Sequence, residues 1–254
     1  MLPVGNKPVV QYVAEELIQC GVNRLLFVTG PGKSSIENHF DINEELIRYL
    51  RLKGQEDVLA QLAFERDEAR YFYTRQRRQL GLGHAILCAE PFIRGNRFVI
   101  ALGDTILGRR TPSTIVQKMI ELYEKNAGEI KGVIAFDEVP LEEVNQYGIA
   151  KPKESKAIGS GDCFELDDLI EKPTESETPS RLAVAARYVF SPEIFAYLHK
   201  TEPGVNGDIQ LTDAVRLMLR DGRRIFGLRL PSHEERYDIG SMNAYFRAFR
   251  DFTE

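Results

Sequence analysis

The sequence is poor in cysteine: Cys20, Cys88 and Cys163 are the three in 254 residues, far apart and without CxxC spacing. That argues against a zinc site or a disulfide framework and suits a reducing compartment. No apolar run approaches the roughly 18 residues of a membrane span. The first residues carry neither the basic nor the apolar segment of a secretion signal. The expectation is a soluble cytoplasmic protein with no membrane partner. Positive charge is short as well, 33 Lys and Arg against 38 acidic residues, for a net charge of -5. Without a basic field, nucleic acid is not an expected partner. A phosphate ligand would then have to be held by individual Lys side chains, backbone N–H groups and a metal ion. The string Gly30-Pro31-Gly32-Lys33-Ser34-Ser35 is not a P-loop, because Phe27 stands where that motif needs its first Gly. Repeats, low-complexity tracts and flexible linkers are missing too, which predicts one continuous domain over residues 1–254.

What is present centres on residues 76–104. Gly81-Leu82-Gly83-His84-Ala85 is a glycine turn that opens a helix, and the apolar run 98–102 ends in Gly103-Asp104. Such a run between turn residues suits a strand buried on both faces. A carboxylate just past its end would lie in the crevice where open α/β sheets bind ligands. The glycines would let backbone approach a flat or charged ligand, and Asp104 could hold a hard cation such as Mg²⁺. The plain alternative stands beside this: glycines often serve only the turn, and an Asp after a strand often caps the next helix.

Strands and helices alternate through the first half, which implies crossover units and a mostly parallel sheet. Helical segments are expected at 9–20, 35–52, 55–70 and 113–126, with strands at 25–28, 71–74 and 131–139. In the second half strands are expected at 146–150, 168–173, 182–190 and 224–230. Polar loops are expected at 151–161 and 204–208, and helices starting at Ser191-Pro192-Glu193, at Ile209 and at Met242. Four strand ends place a polar or acidic residue beside Gly or Pro: Asp104, Tyr147-Gly148, Glu171-Lys172-Pro173 and Asp238. Two carboxylates converging at one sheet edge could share Mg²⁺ with substrate phosphates, and a Lys could neutralise a transferring phosphoryl group. Taken singly, each has an ordinary structural reading: Asp238 as a cap, Glu171-Lys172 as a solvated turn, His84 as a structural histidine.

Nine blocks together resemble a known family. QYVAEELIQCGV, IENHF, GLGHA, LGD, YGI, EKP, RYVFSPEIF, DIQLTDA and RYDIGS occur in the order and approximate spacing of bacterial UTP–glucose-1-phosphate uridylyltransferases. The resemblance implies an α/β fold with a Rossmann-like, mixed, mostly parallel sheet of the nucleotide-diphospho-sugar transferase type. It implies UTP and glucose 1-phosphate as substrates, UDP-glucose and pyrophosphate as products, Mg²⁺ as cofactor, and a homodimer or homotetramer. It also implies residue roles. Gln76 and Gly81 would hold the uracil ring, Gly148 and Glu171 the sugar hydroxyls, and Lys172 the sugar phosphate. Asp104 and Asp238 would hold the metal, with Lys172 and Asp104 carrying catalysis.

The resemblance fails at the front. Relatives begin with a central strand, a GxGTR loop and a PKE triplet directly before the block that here reads Met1-Leu2-Pro3. The expectation is an amino-terminally truncated domain whose first central strand is absent, leaving two unpaired strand edges and an uncovered apolar slot. The competing readings are a shortened, non-catalytic relative that binds a sugar nucleotide, and a thymidylyl or other sugar-1-phosphate nucleotidyltransferase. Met242 stands where relatives commonly have Lys.

Overall fold

A nine-residue strand with a single charge among apolar residues belongs in the middle of a sheet covered on both faces. Leu182–Phe190 is such a strand, and all of it is buried. The computed structural model describes residues 1–61, 69–109, 111–153, 161–204 and 207–253. In chain order the strands are β1 (Pro3–Val4), β2 (Lys7–Pro8), β3 (Arg24–Thr29), β4 (Arg70–Arg75), β5 (Phe98–Ala101), β6 (Thr105–Leu107), β7 (Ile130–Glu138), β8 (Gly148–Pro152), β9 (Cys163–Glu171), β10 (Leu182–Phe190), β11 (Arg224–Arg229) and β12 (Arg236–Asp238). The helices are α1 (Val9–Gln19), α2 (Ser34–Phe40), α3 (Glu44–Leu52), α4 (Glu56–Gln61), α5 (Gly81–Leu87), α6 (Glu90–Ile93), α7 (Ile115–Lys125), α8 (Ile194–Leu198), α9 (Leu211–Arg220) and α10 (Met242–Thr253).

Six strands form the main sheet in the order β5-β10-β7-β11-β9-β8. Strands β5, β7, β11 and β8 point one way and β10 and β9 the other. The sheet is therefore mixed, as expected. Its hydrogen-bonded pairs are more often antiparallel than the alternating pattern suggests, because β10 is inserted between β5 and β7 and β9 between β11 and β8. Period-2 alternation splits β7 between two cores. Val133 and Ala135 face α1 and α7, while Ile134 and Phe136 face α5, α8 and α9.

Three local expectations are corrected. Segment 35–52 is two helices, broken where the Asn43 side chain accepts from Leu46 N (2.9 Å) and starts α3. Ser191 does not cap a helix: its backbone N–H donates to Lys131 O and prolongs the pairing of β10 with β7, and α8 begins later at Ile194. Strand β5 is half-buried rather than covered on both faces. The parts of the expected elements at 62–68, 154–160 and 205–206 lie outside the described residues.

The half-burial of β5 has a definite cause. Among the described residues, β5 pairs only with β10, and β3 pairs only with β4. Both strands line one cavity of about 1140 Å³, floored and roofed by Val13 and Leu17 of α1 and by Leu82 and Ile86 of α5. The carboxyl ends of β3 and β5 meet at one end of it, since Lys33 and Leu102–Asp104 share a second, adjoining cavity of about 450 Å³. The two strands thus run alongside each other in the same sense with an apolar gap between them.

Candidate active site

Asp104 and Asp238 come together through a small antiparallel ladder. Strand β6 begins directly after Asp104 and β12 ends at Asp238, with Asp238 opposite Thr105. The Ile239 N–H closes the ladder on Asp104 O at 3.0 Å. Burial raises the Asp104 carboxyl above the usual carboxylate range, and the like charge of Asp238 raises it further. A buried carboxylate with a second one beside it is a natural cation site. Among the described residues no group of three or more His, Cys, Asp or Glu side chains could hold a metal alone. A pair of carboxylates fits Mg²⁺ well, because that ion usually completes its shell with phosphate oxygens and water. The capping reading of Asp238 is half right: its Oδ1 accepts from Gly240 N (2.9 Å), while Ser241 Oγ accepts from Ala244 N (3.2 Å) in the first turn of α10.

The glycine turn opens α5 as expected, and its glycines are also packed against backbone. Gly81 has φ +84°, a conformation that favours Gly. A Cβ on Gly81 would stand 2.8 Å from Ile209 O, and one on Gly83 would stand 2.7 Å from the same oxygen. The close backbone approach is thus to the segment before α9. It is sealed by Gly83 N to Ile209 O and Ile209 N to Leu80 O, both 2.8 Å. Gly83→Ala should therefore cost about 1–3 kcal/mol by overpacking against backbone that cannot yield, measured by urea unfolding. A loss under about 0.5 kcal/mol would show that the approach is not rigid.

Gln76 lies beside the turn, its side-chain nitrogen 3.0 Å from both Gly81 O and His84 Nδ1. With that nitrogen engaged, the carbonyl oxygen is the end left to accept a ligand N–H. The His84 ring thereby orients the Gln76 amide.

Gly148 and Glu171 sit opposite each other across β8 and β9. A Cβ on Gly148 would meet Glu171 Oε2 at 3.4 Å, so the glycine keeps open space around that carboxylate. Lys172 follows with φ +46°, uncommon for a non-glycine residue, its N–H held by Tyr147 O at 2.9 Å. Its ammonium is exposed and has no ion-pair partner among the described residues.

Side chains that the sequence reading passed over join these parts. Arg236 pairs with Asp137 (3.2 Å), donates to Val184 O (3.2 Å) and lies over the Tyr147 ring at 4.2 Å, linking the Asp238 strand to Tyr147-Gly148. Thr212, in the first turn of α9, donates to Glu171 Oε2 at 2.7 Å, linking the glycine turn's partner segment to the same carboxylate. Lys33 lies with Leu82 and Asp104 at the smaller cavity. Arg187 is the one charge inside an apolar strand, a signal visible in the sequence. Contacts thus tie the Asp238 strand to Tyr147-Gly148, and Glu171 to α9 beside the glycine turn.

The sequence profile of the nucleotidyl transferase family matches residues 1–254. The chain is 38% identical over 253 residues to the UTP–glucose-1-phosphate uridylyltransferase of Bacillus subtilis, which covers 100% of this chain and 82% of the relative. Its structure is similar to that of a UDP-glucose pyrophosphorylase complexed with UDP-glucose, with TM-score 0.86, 33% identity, and coverage of 99% of this chain and 89% of that one. It is also similar to the UTP-bound UGPase from Acinetobacter baumannii, with TM-score 0.84, 31% identity, and coverage of 98% and 83%.

Proposed function

Because this chain belongs to the nucleotidyl transferase family, in its UTP–glucose-1-phosphate uridylyltransferase branch, we propose that it joins UTP and glucose 1-phosphate into UDP-glucose. The observation that carries the reading is that the β6–β12 ladder sets Asp238 opposite Thr105, beside Asp104, while Asp104 borders the cavity that Leu82 of the glycine turn also lines. In the proposed reaction a phosphate oxygen of glucose 1-phosphate attacks the α-phosphorus of UTP in line. The bond from that phosphorus to the bridging oxygen breaks, and pyrophosphate leaves with the electron pair. No covalent intermediate on the protein is needed, so the work lies in positioning and in balancing charge.

Each residue has a task that its chemistry supports. The Gln76 side-chain oxygen accepts the imide N–H of uracil, and the Gly81 backbone approaches the ring edge. Glu171, held by Thr212, accepts from sugar hydroxyls, and Gly148 leaves them room. Lys172 is an exposed cation on a fixed backbone, suited to the sugar phosphate. Asp104 and Asp238 would hold Mg²⁺, which when bound offsets phosphate charge. We further propose that the slot between β3 and β5 receives an additional strand of the same domain, upstream of Met1, and that the loop after it reaches the triphosphate. A cytoplasmic location and assembly as a homodimer or homotetramer are carried over from the family. No helix among the described residues is long and apolar enough to cross a membrane.

The test is release of pyrophosphate with Mg²⁺, glucose 1-phosphate and either UTP or dTTP, on the chain alone and on the chain extended by such a strand and loop. Release from UTP by the extended chain is expected, with dTTP slower. Equal rates with dTTP would reassign the donor. Binding of UDP-glucose without any release, even when extended, would make the protein a sugar-nucleotide-binding relative.

A further inference from the structure

We propose that Arg187 and Glu16 form a buried pair that positions the Asp104 carboxylate. The inference rests on the metal reading above and adds residues that touch neither metal nor substrate. Arg187 lies in the middle of β10 and is 0% exposed. A bulge brings it there: the register of β10 on β7 shifts between Val184 and Tyr188, and Ala186 has φ +58°. A bulge re-aims a side chain, and an alanine at positive φ is held only where its surroundings fix it.

The guanidinium has five N–H donors in a rigid fork, and the structure gives each an acceptor. Nε donates to Glu16 Oε1 (3.1 Å), and Nη2 donates to Glu16 Oε2 (2.6 Å) and to Thr105 O (2.9 Å). Nη1 donates to Ala186 O (3.1 Å) and, at 3.5 Å, to Leu102 O. Ala186 O also accepts from Leu102 N at 3.1 Å. Leu102 and Thr105 bracket Gly103-Asp104, so one side chain grips the turn that bears the carboxylate from both ends. Glu16 anchors that grip to α1. A buried ion pair is a weak source of stability compared with apolar packing of equal volume. Here its geometry serves to fix four residues of turn beneath the metal carboxylates, and among the described residues no other side chain donates to both bracketing carbonyls.

The test measures Mn²⁺ affinity in saturating UDP-glucose, from the free Mn²⁺ signal in electron paramagnetic resonance. It is run at a temperature where circular dichroism shows each protein folded. Arg187→Lys keeps the charge but loses the fork. Arg187→Met with Glu16→Met removes both charges together, so neither is stranded in the core. Both should weaken Mn²⁺ binding by about 10–100-fold, the usual effect of losing a group that orients a ligand. Parent-like affinity in either folded variant would overturn the proposal. If neither folds, Glu16→Gln decides: a lower Tm with unchanged Mn²⁺ affinity overturns it, and weakened affinity supports it. Asp104→Asn separates the two readings. If that variant binds Mn²⁺ like the parent, the metal assignment itself has failed; if it loses binding while Arg187→Lys does not, only the positioning role has failed.

Discussion

Asp104→Asn should lower uridylyl transfer by at least about a thousandfold, roughly the 4 kcal/mol lost with one preorganised electrostatic group, while the folded protein melts no lower than its parent. The two halves have the same origin. Burial and the neighbouring Asp238 hold the Asp104 carboxyl above its ordinary range, so in the free protein its ionised form opposes folding. A raised carboxyl contributes no penalty below its unfolded value and an increasing one as the pH rises through the folded value. At neutral pH the amide removes that penalty and keeps the shape. What is lost is the charge that a divalent ion needs. Steady-state pyrophosphate release on the extended chain, paired with a thermal melt of the free protein, reads both effects. Near-parental turnover would take Asp104 out of the reaction. A large drop in Tm would mean that the carboxylate is a structural anchor instead.

The parts of this molecule that were legible in the sequence are those whose signal is local. Leu182–Phe190 was bounded to the residue because an apolar run between turn residues has one structural outcome. Helix α1 followed from its 3.6-residue period and the glycine after it, and Gly21 indeed has φ +82°. Strand-end residues were recognisable as candidates because crevice chemistry concentrates there. What was not legible depends on partners distant in the chain. Nothing near Gly83 reveals that Ile209 O will occupy the space beside it. The charge of Arg187 could be seen, but its acceptors are scattered among Glu16, Leu102, Thr105 and Ala186. Arg236 reads as a surface residue until Asp137 and Tyr147 close around it. The burial expected for β5 failed for a related reason: period reports an element's own preference, and one side of β5 borders the open cavity beside β3.

Joining an upstream strand to this chain should raise its Tm by about 10–20 °C, measured by differential scanning calorimetry against the 254-residue chain alone. A segment can be taken from the amino-terminal part of a full-length relative. The slot offers β3 and β5 as two edges pointing the same way, with apolar side chains from α1 and α5 above and below. An added strand would pair on both sides and bury its own apolar side chains at about 1.5–3 kcal/mol each. Two or three such side chains give on the order of 5 kcal/mol, and a chain of this size gains about 2–4 °C per kcal/mol. The same addition should slow amide exchange along residues 24–29 and 98–101, whose outer edges are otherwise open to water. The chain has one other way to satisfy those edges, which is to close the slot by pairing β3 directly onto β5. That would slow the same amides without any added strand, and it would pull Lys33 and Leu82 away from their present places around Asp104. Slow exchange and a high, cooperative Tm in the 254-residue chain would therefore refute the slot as an open site. Fast exchange that the added strand abolishes would show that the strand docks in the gap between β3 and β5.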